Sequence, residues 1–197
     1  MDISLIIILV ASYLIGAIPC GVVLTRLTGA GDVRNSGSGN IGATNVYRTA
    51  GRKLGILTLI GDIIKGIIPI IYAIHFAGLT TEQTAMVACA TFLGHLYPVY
   101  LGFKGGKGVA TALGIYLIIS PLSVVVAVLL FIALVWTWRY VSLGSVSAAA
   151  IVPIMVFFFE KSVPLLIASL FISVMVIWRH HENIGRLFSG TENKFKA

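Results

Sequence analysis

Uncharged apolar runs of membrane-spanning length alternate along this chain with short, polar, basic segments. A helix needs roughly 20 apolar residues to cross a hydrocarbon core of about 30 Å. Ile3 to Thr25 carries no charge and predicts a first span. Its acidic Asp2, its length and the Arg26 that follows it directly set it apart from a signal peptide. Leu54 to about Thr80 predicts a second span, interrupted by Asp62 and Lys65, and Gln83 to Phe103 a third with His95 near its end. Tyr140–Phe159 and Ser162–Trp178 predict two more. The uncharged stretch Gly108–Trp138 would make one helix of about 46 Å, too long for a single crossing. Ser120-Pro121 lies near its middle and favours a turn. Two short helices are expected there, which brings the total to seven crossings; a re-entrant hairpin is the alternative and would change the parity.

Charge placement decides between the two. With seven crossings, one side receives Arg26, Arg34, Arg48, Arg52, Lys53, Lys104, Lys107, Arg139, Arg179, Arg186, Lys194 and Lys196, twelve of the 14 basic residues. The other side receives Asp2, Glu82, Glu160 and only Lys161. Basic loops stay cytoplasmic, so the N-terminus is expected outside and the C-terminus inside. An even count would put the basic tail on the wrong face. The expected fold class is an all-α polytopic membrane protein of seven transmembrane helices, some short, forming a single domain over residues 1–197.

Composition agrees. The chain is 58% hydrophobic and 11% charged, against about 45–50% and about 25% for a soluble domain. Such a chain cannot cover a water-facing surface with charge, so a soluble enzyme is excluded. Cys20 and Cys89 stand in apolar runs without the spacing of a disulfide framework or a zinc site.

The candidate chemistry lies in three polar segments on the predicted cytoplasmic side. The first runs from Asn35 to Arg48 and contains Ser36, Gly37, Ser38, Gly39, Asn40, Gly42, Thr44 and Asn45. Gly37, Gly39 and Gly42 match G-x-G-x-x-G, yet the strand and βαβ unit of a dinucleotide fold are missing. Successive glycines can still turn N–H groups inward to cradle an oxyanion. The second segment, Gly102-Phe103-Lys104-Gly105-Gly106-Lys107-Gly108-Val109-Ala110-Thr111, leads into a helix. It departs from a Walker A loop, because Leu101 stands where the first Gly belongs and Gly108 where Ser or Thr belongs. A smaller phosphate ester suits it better than a nucleotide, with the helix N-terminus adding its dipole to the two lysines. The third, His181 to Glu192, contains Asn183 and Arg186 and is dense enough in functional groups to predict a tail folded back on the loops.

Asp62 and Lys65 share a helical face at i,i+3 inside an apolar segment. Intramembrane charges are costly and face a bundle interior or an aqueous cavity. Mutual pairing is one reading, and a supporting role at the site is the other. His95 reads as a packing histidine or a wall of the site, and His75 as interfacial.

No H-x-x-x-x-D dyad, G-x-S-x-G elbow or H-E-x-x-H site occurs. What remains is an abundance of anion donors with few general bases. A transporter of a phosphorylated metabolite is the alternative class, disfavoured because the polar groups gather on one face and not at the midplane.

The Ser36–Arg48 segment, the Gly102–Thr111 loop and the His181–Glu192 tail resemble, in order, the three motifs of the bacterial acyl-phosphate:glycerol-3-phosphate acyltransferase family (PlsY). The resemblance spans essentially the whole chain. It implies transfer of a fatty acyl group from acyl phosphate to the 1-hydroxyl of glycerol 3-phosphate, giving lysophosphatidic acid and inorganic phosphate in bacterial phospholipid synthesis. By the resemblance, Ser36, Ser38, Arg48, His181 and Asn183 are catalytic. Gly37, Gly39, Asn40, Thr44, Asn45, Lys104, Gly105, Gly106, Lys107, Gly108 and Arg186 are expected to bind substrate. Asp62, Lys65 and Glu192 are expected to support the structure. The expected partners are acyl phosphate, glycerol 3-phosphate, inner-leaflet lipid and the enzyme that makes acyl phosphate; no nucleic acid, metal or cofactor is expected. The implied location is the bacterial cytoplasmic (inner) membrane, with the site on its cytoplasmic face.

Overall fold

The apolar runs of this chain fold as helices wherever backbone groups would otherwise face lipid unsatisfied. In the computed structural model, which describes residues 2–195, there are ten α-helices and no strand among the described residues. They are α1 (Ile3–Gly16), α2 (Cys20–Leu27), α3 (Ala43–Ala50), α4 (Arg52–Ile71), α5 (Thr81–Leu96), α6 (Val109–Ile119), α7 (Pro121–Trp138), α8 (Val141–Glu160), α9 (Val163–Arg179) and α10 (His181–Phe188). The chain divides into two compact units, Met1–Ile118 and Ile119–Ala197. Lys196, counted with the basic tail, lies outside the described residues.

The expected first span is two helices, not one: α1 and α2 meet at 46° across Ala17–Pro19. Pro19 lacks an N–H and disfavours the α conformation at Ile18, so a straight helix cannot pass. Two segments read as loop and tail also contain helix. Val46 is fully buried and draws Ala43–Ala50 into α3, and His181–Phe188 forms α10. The second span continues from α4 through a π-helical turn, Tyr72–Phe76, which ends beside the exposed His75. Thr80 and Gln83 form a reciprocal capping box that starts α5. Gly108–Trp138 does divide at Ser120-Pro121, into α6 and α7. By length and composition four helices can cross a membrane, or up to six if α1–α2 and α9–α10 each count as one bent span. A seventh would be α6, whose 11 residues reach only about 16 Å.

Helices in lipid gain no hydrophobic energy by associating, so close packing through small residues has to hold them together. In the first unit, a Cβ at Gly16 would collide with the Thr91 backbone, and one at Gly94 with the backbone of Tyr13 and Ala17, which locks α1 to α5. Gly66 and Gly114 bring α4 and α6 equally close. Tyr13 adds a hydrogen bond from its hydroxyl to the Tyr97 carbonyl at 2.6 Å.

The second unit is an up-and-down set of long helices. Arg139 and Lys161, both at positive φ, make the turns that join α7 to α8 and α8 to α9. Pro153 stands inside α8 and leaves the Ala149 carbonyl without its usual i+4 donor. Ser173 on α9 donates its hydroxyl to that carbonyl at 2.7 Å. A buried polar group created by proline is thus satisfied by the neighbouring helix.

Candidate active site

The first polar segment is fastened to the first unit by apolar pins. Val33 and Ile41 bracket the Ser/Gly stretch and enter a small core with Val22 of α2 and Val46 of α3, on which Leu101 also packs. The residue directly before the second polar segment therefore rests on the same core as the first segment. Between the pins, Gly37 and Gly39 hold φ of 62° and 67°, backbone that a side chain would strain.

Asn45 organises what lies between. Its side chain is buried, and its Nδ2 donates to the carbonyls of Val33, Ser36 and Asn40 at 3.1, 3.0 and 2.8 Å. Its Oδ1 accepts the Ser38 N–H at 2.9 Å. The amide protons expected for a substrate are spent on the loop. Asn40 Oδ1 accepts the Gly42 N–H at 2.8 Å, just before α3 begins. Ser36 and Ser38 remain exposed, and their hydroxyls make no hydrogen bond among the described residues. Arg48 projects from the last turn of α3 and is exposed, while Thr44 is half-buried in its first turn. Upstream, Asp32 accepts from Arg34 and from Arg26, each at its Oδ2, at 2.6 and 2.8 Å. These two guanidinium groups, Arg34 foremost, hold the Asp32 carboxyl far below the usual range.

The second segment is moulded on the C-terminal end of α5. The N–H groups of Gly105 and Gly106 donate to the carbonyls of Leu96 and His95 at 3.1 and 3.2 Å. Two N–H groups expected to cradle a phosphate are therefore turned inward. A Cβ on Gly108, at φ 82°, would strike Phe92 and Leu96. The glycines serve close approach of the loop to α5. The first-turn N–H groups of α6 can serve an anion, and exposed Lys104 and half-buried Lys107 stand on the same loop.

Asp62 and Lys65 pair with each other, at 2.7 Å between Lys65 Nζ and Asp62 Oδ1, both buried. Lys65 Nζ also donates to the Ile18 carbonyl at 2.7 Å. That carbonyl sits at the α1–α2 break, where it also accepts the Cys20 N–H at 3.1 Å, so the buried ammonium ties α4 to the break. Asp62 Oδ1 stands 3.9 Å from Nδ1 of His95.

In the second unit the tail folds onto α8. Glu192 Oε1 accepts from Ser142 Oγ and from Asn183 Nδ2, both at 2.7 Å, and Oε2 accepts from Arg186 Nε at 2.8 Å. Burial pushes the Glu192 carboxyl up, but donations from Asn183, Ser142 and Arg186 outweigh it and hold the group below its usual value. Arg186, expected to contact substrate, is clasped by this carboxylate. His181 is exposed, stacks on Trp178, and places Nδ1 2.9 Å from the Trp178 carbonyl. A carbonyl only accepts, so Nδ1 carries the hydrogen and neutral His181 keeps Nε2 as a proton acceptor.

Ser142 and Thr111 lie outside the candidates that the sequence offers, and His95 fits two readings there. Ser142 pairs with a residue 50 positions away, so no local pattern announces it. His95 carried one signal, a polar ring inside an apolar helix.

Residues 6–190 match the family model described as glycerol-3-phosphate acyltransferase. The glycerol-3-phosphate acyltransferase of Syntrophotalea carbinolica is 63% identical over 194 residues, covering 98% of this chain and 99% of that one. The Geobacter sulfurreducens enzyme of the same name is 54% identical over 193 residues, 98% of each. A crystal structure of PlsY (YgiH), an integral membrane glycerol 3-phosphate acyltransferase, in its glycerol 3-phosphate form, superposes with a TM-score of 0.93. It is 40% identical and is matched over 98% of this chain and 96% of that one. Its lysophosphatidic acid form gives 0.91 at 39% identity, with the same coverage.

Proposed function

The chain belongs to the glycerol-3-phosphate acyltransferase family and is an acyltransferase integral to a membrane; from that premise we propose that acyl phosphate is its donor and glycerol 3-phosphate its acceptor. The proposed products are lysophosphatidic acid and inorganic phosphate. The 1-hydroxyl oxygen of glycerol 3-phosphate attacks the acyl carbonyl carbon. A carboxylic ester bond forms, and the bond from the acyl carbon to the phosphate oxygen breaks. The leaving phosphate is already stabilised, so no covalent enzyme intermediate is needed.

One observation carries this reading: a single apolar core, Val22, Val33, Ile41 and Val46, seats the hydroxyl-and-arginine loop and also Leu101, directly before the lysine-and-glycine loop. A reaction between two phosphate-bearing substrates calls for two anion-binding segments side by side. We assign Ser36, Ser38 and Arg48 to the reacting centre. Lys104, Lys107, Gly108 and the start of α6 are assigned to the glycerol 3-phosphate phosphate. Gly37, Gly39, Asn40, Asn45, Gly105 and Gly106 shape the loops, with Thr44 beside them. The hydroxyl proton passes to a substrate phosphate oxygen, with His181 and Asn183 orienting groups and Arg186 held by Glu192. Positioning of the two substrates supplies up to about 7–11 kcal/mol of the barrier. Each donor aimed at the tetrahedral oxyanion adds about 2.7–4 kcal/mol. Residues 1–197 act as one acyltransferase domain in the bacterial inner membrane, with the site on the cytoplasmic face, as the charge asymmetry of the loops supports.

The test is lysophosphatidic acid formation and phosphate release by the detergent-purified protein. Turnover is expected with acyl phosphate and glycerol 3-phosphate alone, without ATP, divalent metal or acyl-CoA. A strict requirement for an EDTA-removable metal, or equal rates with acyl-CoA, would overturn the assignment of donor.

A further inference from the structure

We propose that His95 is a positioning residue for the glycerol 3-phosphate loop, its imidazole acting as the template on which Gly105–Thr111 takes shape. The proposal rests on the reading of that loop as the phosphate site given above. The ring is 3% exposed and meets the loop at both of its nitrogens. Nδ1 lies 3.1 Å from Thr111 Oγ1. At the other edge, a Cβ built on Gly106 would overlap Nε2 and lie 3.1 and 3.2 Å from Cε1 and Cδ2. The His95 carbonyl, in addition, accepts the Gly106 N–H. The loop thus arches from Gly106 to Thr111 around one side chain, with Lys107 and Gly108 at its crown.

Packing alone does not account for this residue. An apolar side chain would fill the same buried space at no desolvation cost, whereas a buried imidazole needs polar partners. One such partner is Thr111 Oγ1. Asp62 Oδ1 stands 3.9 Å from Nδ1, and Asp62 is itself held by Lys65, which is held by the Ile18 carbonyl at the α1–α2 break. The ring thus lies beside this buried ion pair as well as against the loop, which it meets at Gly106 and Thr111. His95 touches no reacting atom in this account; it acts through the donors that it places.

The experiment is steady-state kinetics on the protein with four single variants and one double variant. His95→Ala should raise KM for glycerol 3-phosphate about tenfold, the loss expected when one hydrogen bond and its ordering are removed. Values of kcat and of KM for acyl phosphate should stay within about threefold. His95→Asn, which retains a polar group towards Thr111, should recover part of the loss. Gly106→Ala should raise the same KM, because its methyl meets the ring. In the His95→Ala background, Gly106→Ala should add less than about twofold, since nothing remains for the methyl to strike. Thr111→Val, equal in size, should shift the same KM in the same direction, and it keeps the proposal testable if His95→Ala does not fold.

Multiplicative effects of His95→Ala and Gly106→Ala would overturn the proposal. So would a fall in kcat at unchanged KM, or wild-type kinetics in His95→Ala and Thr111→Val. If Gly106→Ala raises the KM while His95→Ala does not, the phosphate loop stands and the role of His95 falls. If the wild type turns over and no loop variant moves that KM, the phosphate loop itself is misassigned.

Discussion

Replacing Asn45 by alanine should disable the enzyme through the loop and not through the substrate. Its side chain supplies two N–H protons shared among the carbonyls of Val33, Ser36 and Asn40, and one oxygen that receives the Ser38 N–H. That amounts to about three net hydrogen bonds at roughly 1 kcal/mol each. The Val33 end of this network is buried, where an orphaned carbonyl costs about 1–3 kcal/mol. A loss of about 3 kcal/mol corresponds to roughly a hundredfold shift away from the ordered loop. The core of Val22, Val33, Ile41 and Val46 is untouched, so the damage should be local. We expect kcat/KM for lysophosphatidic acid formation to fall about a hundredfold while the melting temperature in detergent changes little. Asn45→Asp is the sharper probe. It preserves size and the acceptor for Ser38, but turns a carboxylate oxygen towards three carbonyls, so it should do at least as much harm. Either variant at wild-type kcat/KM would refute the argument, as would an Asn45→Asp variant much more active than Asn45→Ala.

Three other expectations follow from particular contacts. The Glu192 carboxyl sits below its ordinary value, so its stabilisation of the tail is complete above about pH 4.5 and is lost as pH falls through the lower folded value. Hydrogen exchange of residues 181–195 should rise over that acid range in the wild type, and Glu192→Gln should raise it already at neutral pH; pH-independent protection in the wild type would count against the linkage. Ser173→Ala should cost about 1–3 kcal/mol by orphaning the Ala149 carbonyl. Most of that cost should vanish in a Pro153→Ala background, which restores the helical donor, and equal costs in both backgrounds by denaturant titration would sink this account. Cysteines at Glu82 and Glu160 should react with impermeant thiol reagents from the periplasm, and those at Arg34, Lys104 and Lys194 from the cytoplasm; labelling of position 160 from inside would remove the proposed orientation.

How much of this could be read without coordinates depends on how far apart the cooperating residues stand. The apolar runs place α8 and α9 within a residue or two of their observed bounds, because the cost of exposing backbone to lipid is a local property of composition. Ser120-Pro121 marks the division of α6 from α7 for an equally local reason. Pro19 carries the same local signal within the expected first span, which is read from its lack of charge alone. The first two polar segments read as anion-binding loops, since glycine, lysine, arginine and hydroxyl residues are adjacent in the chain, and the resemblance to one family rests on all three.

What each of those residues does inside its segment depended on tertiary structure. Asn45 reads as a substrate contact until three carbonyls, 5 to 12 positions away, are seen to consume its amide. Gly105 and Gly106 read as a phosphate cradle until their N–H groups are found on the carbonyls of Leu96 and His95. Lys65 reads as a partner for Asp62 or a support for the site until the carbonyl of Ile18, 47 residues distant, is placed beside it as well. A hydrogen bond is satisfied through space, and sequence order holds no record of that distance. Composition and spacing thus determined which groups are present and on which segments they stand, while only the packing of helices decided which of them are already paired and which remain to meet a ligand.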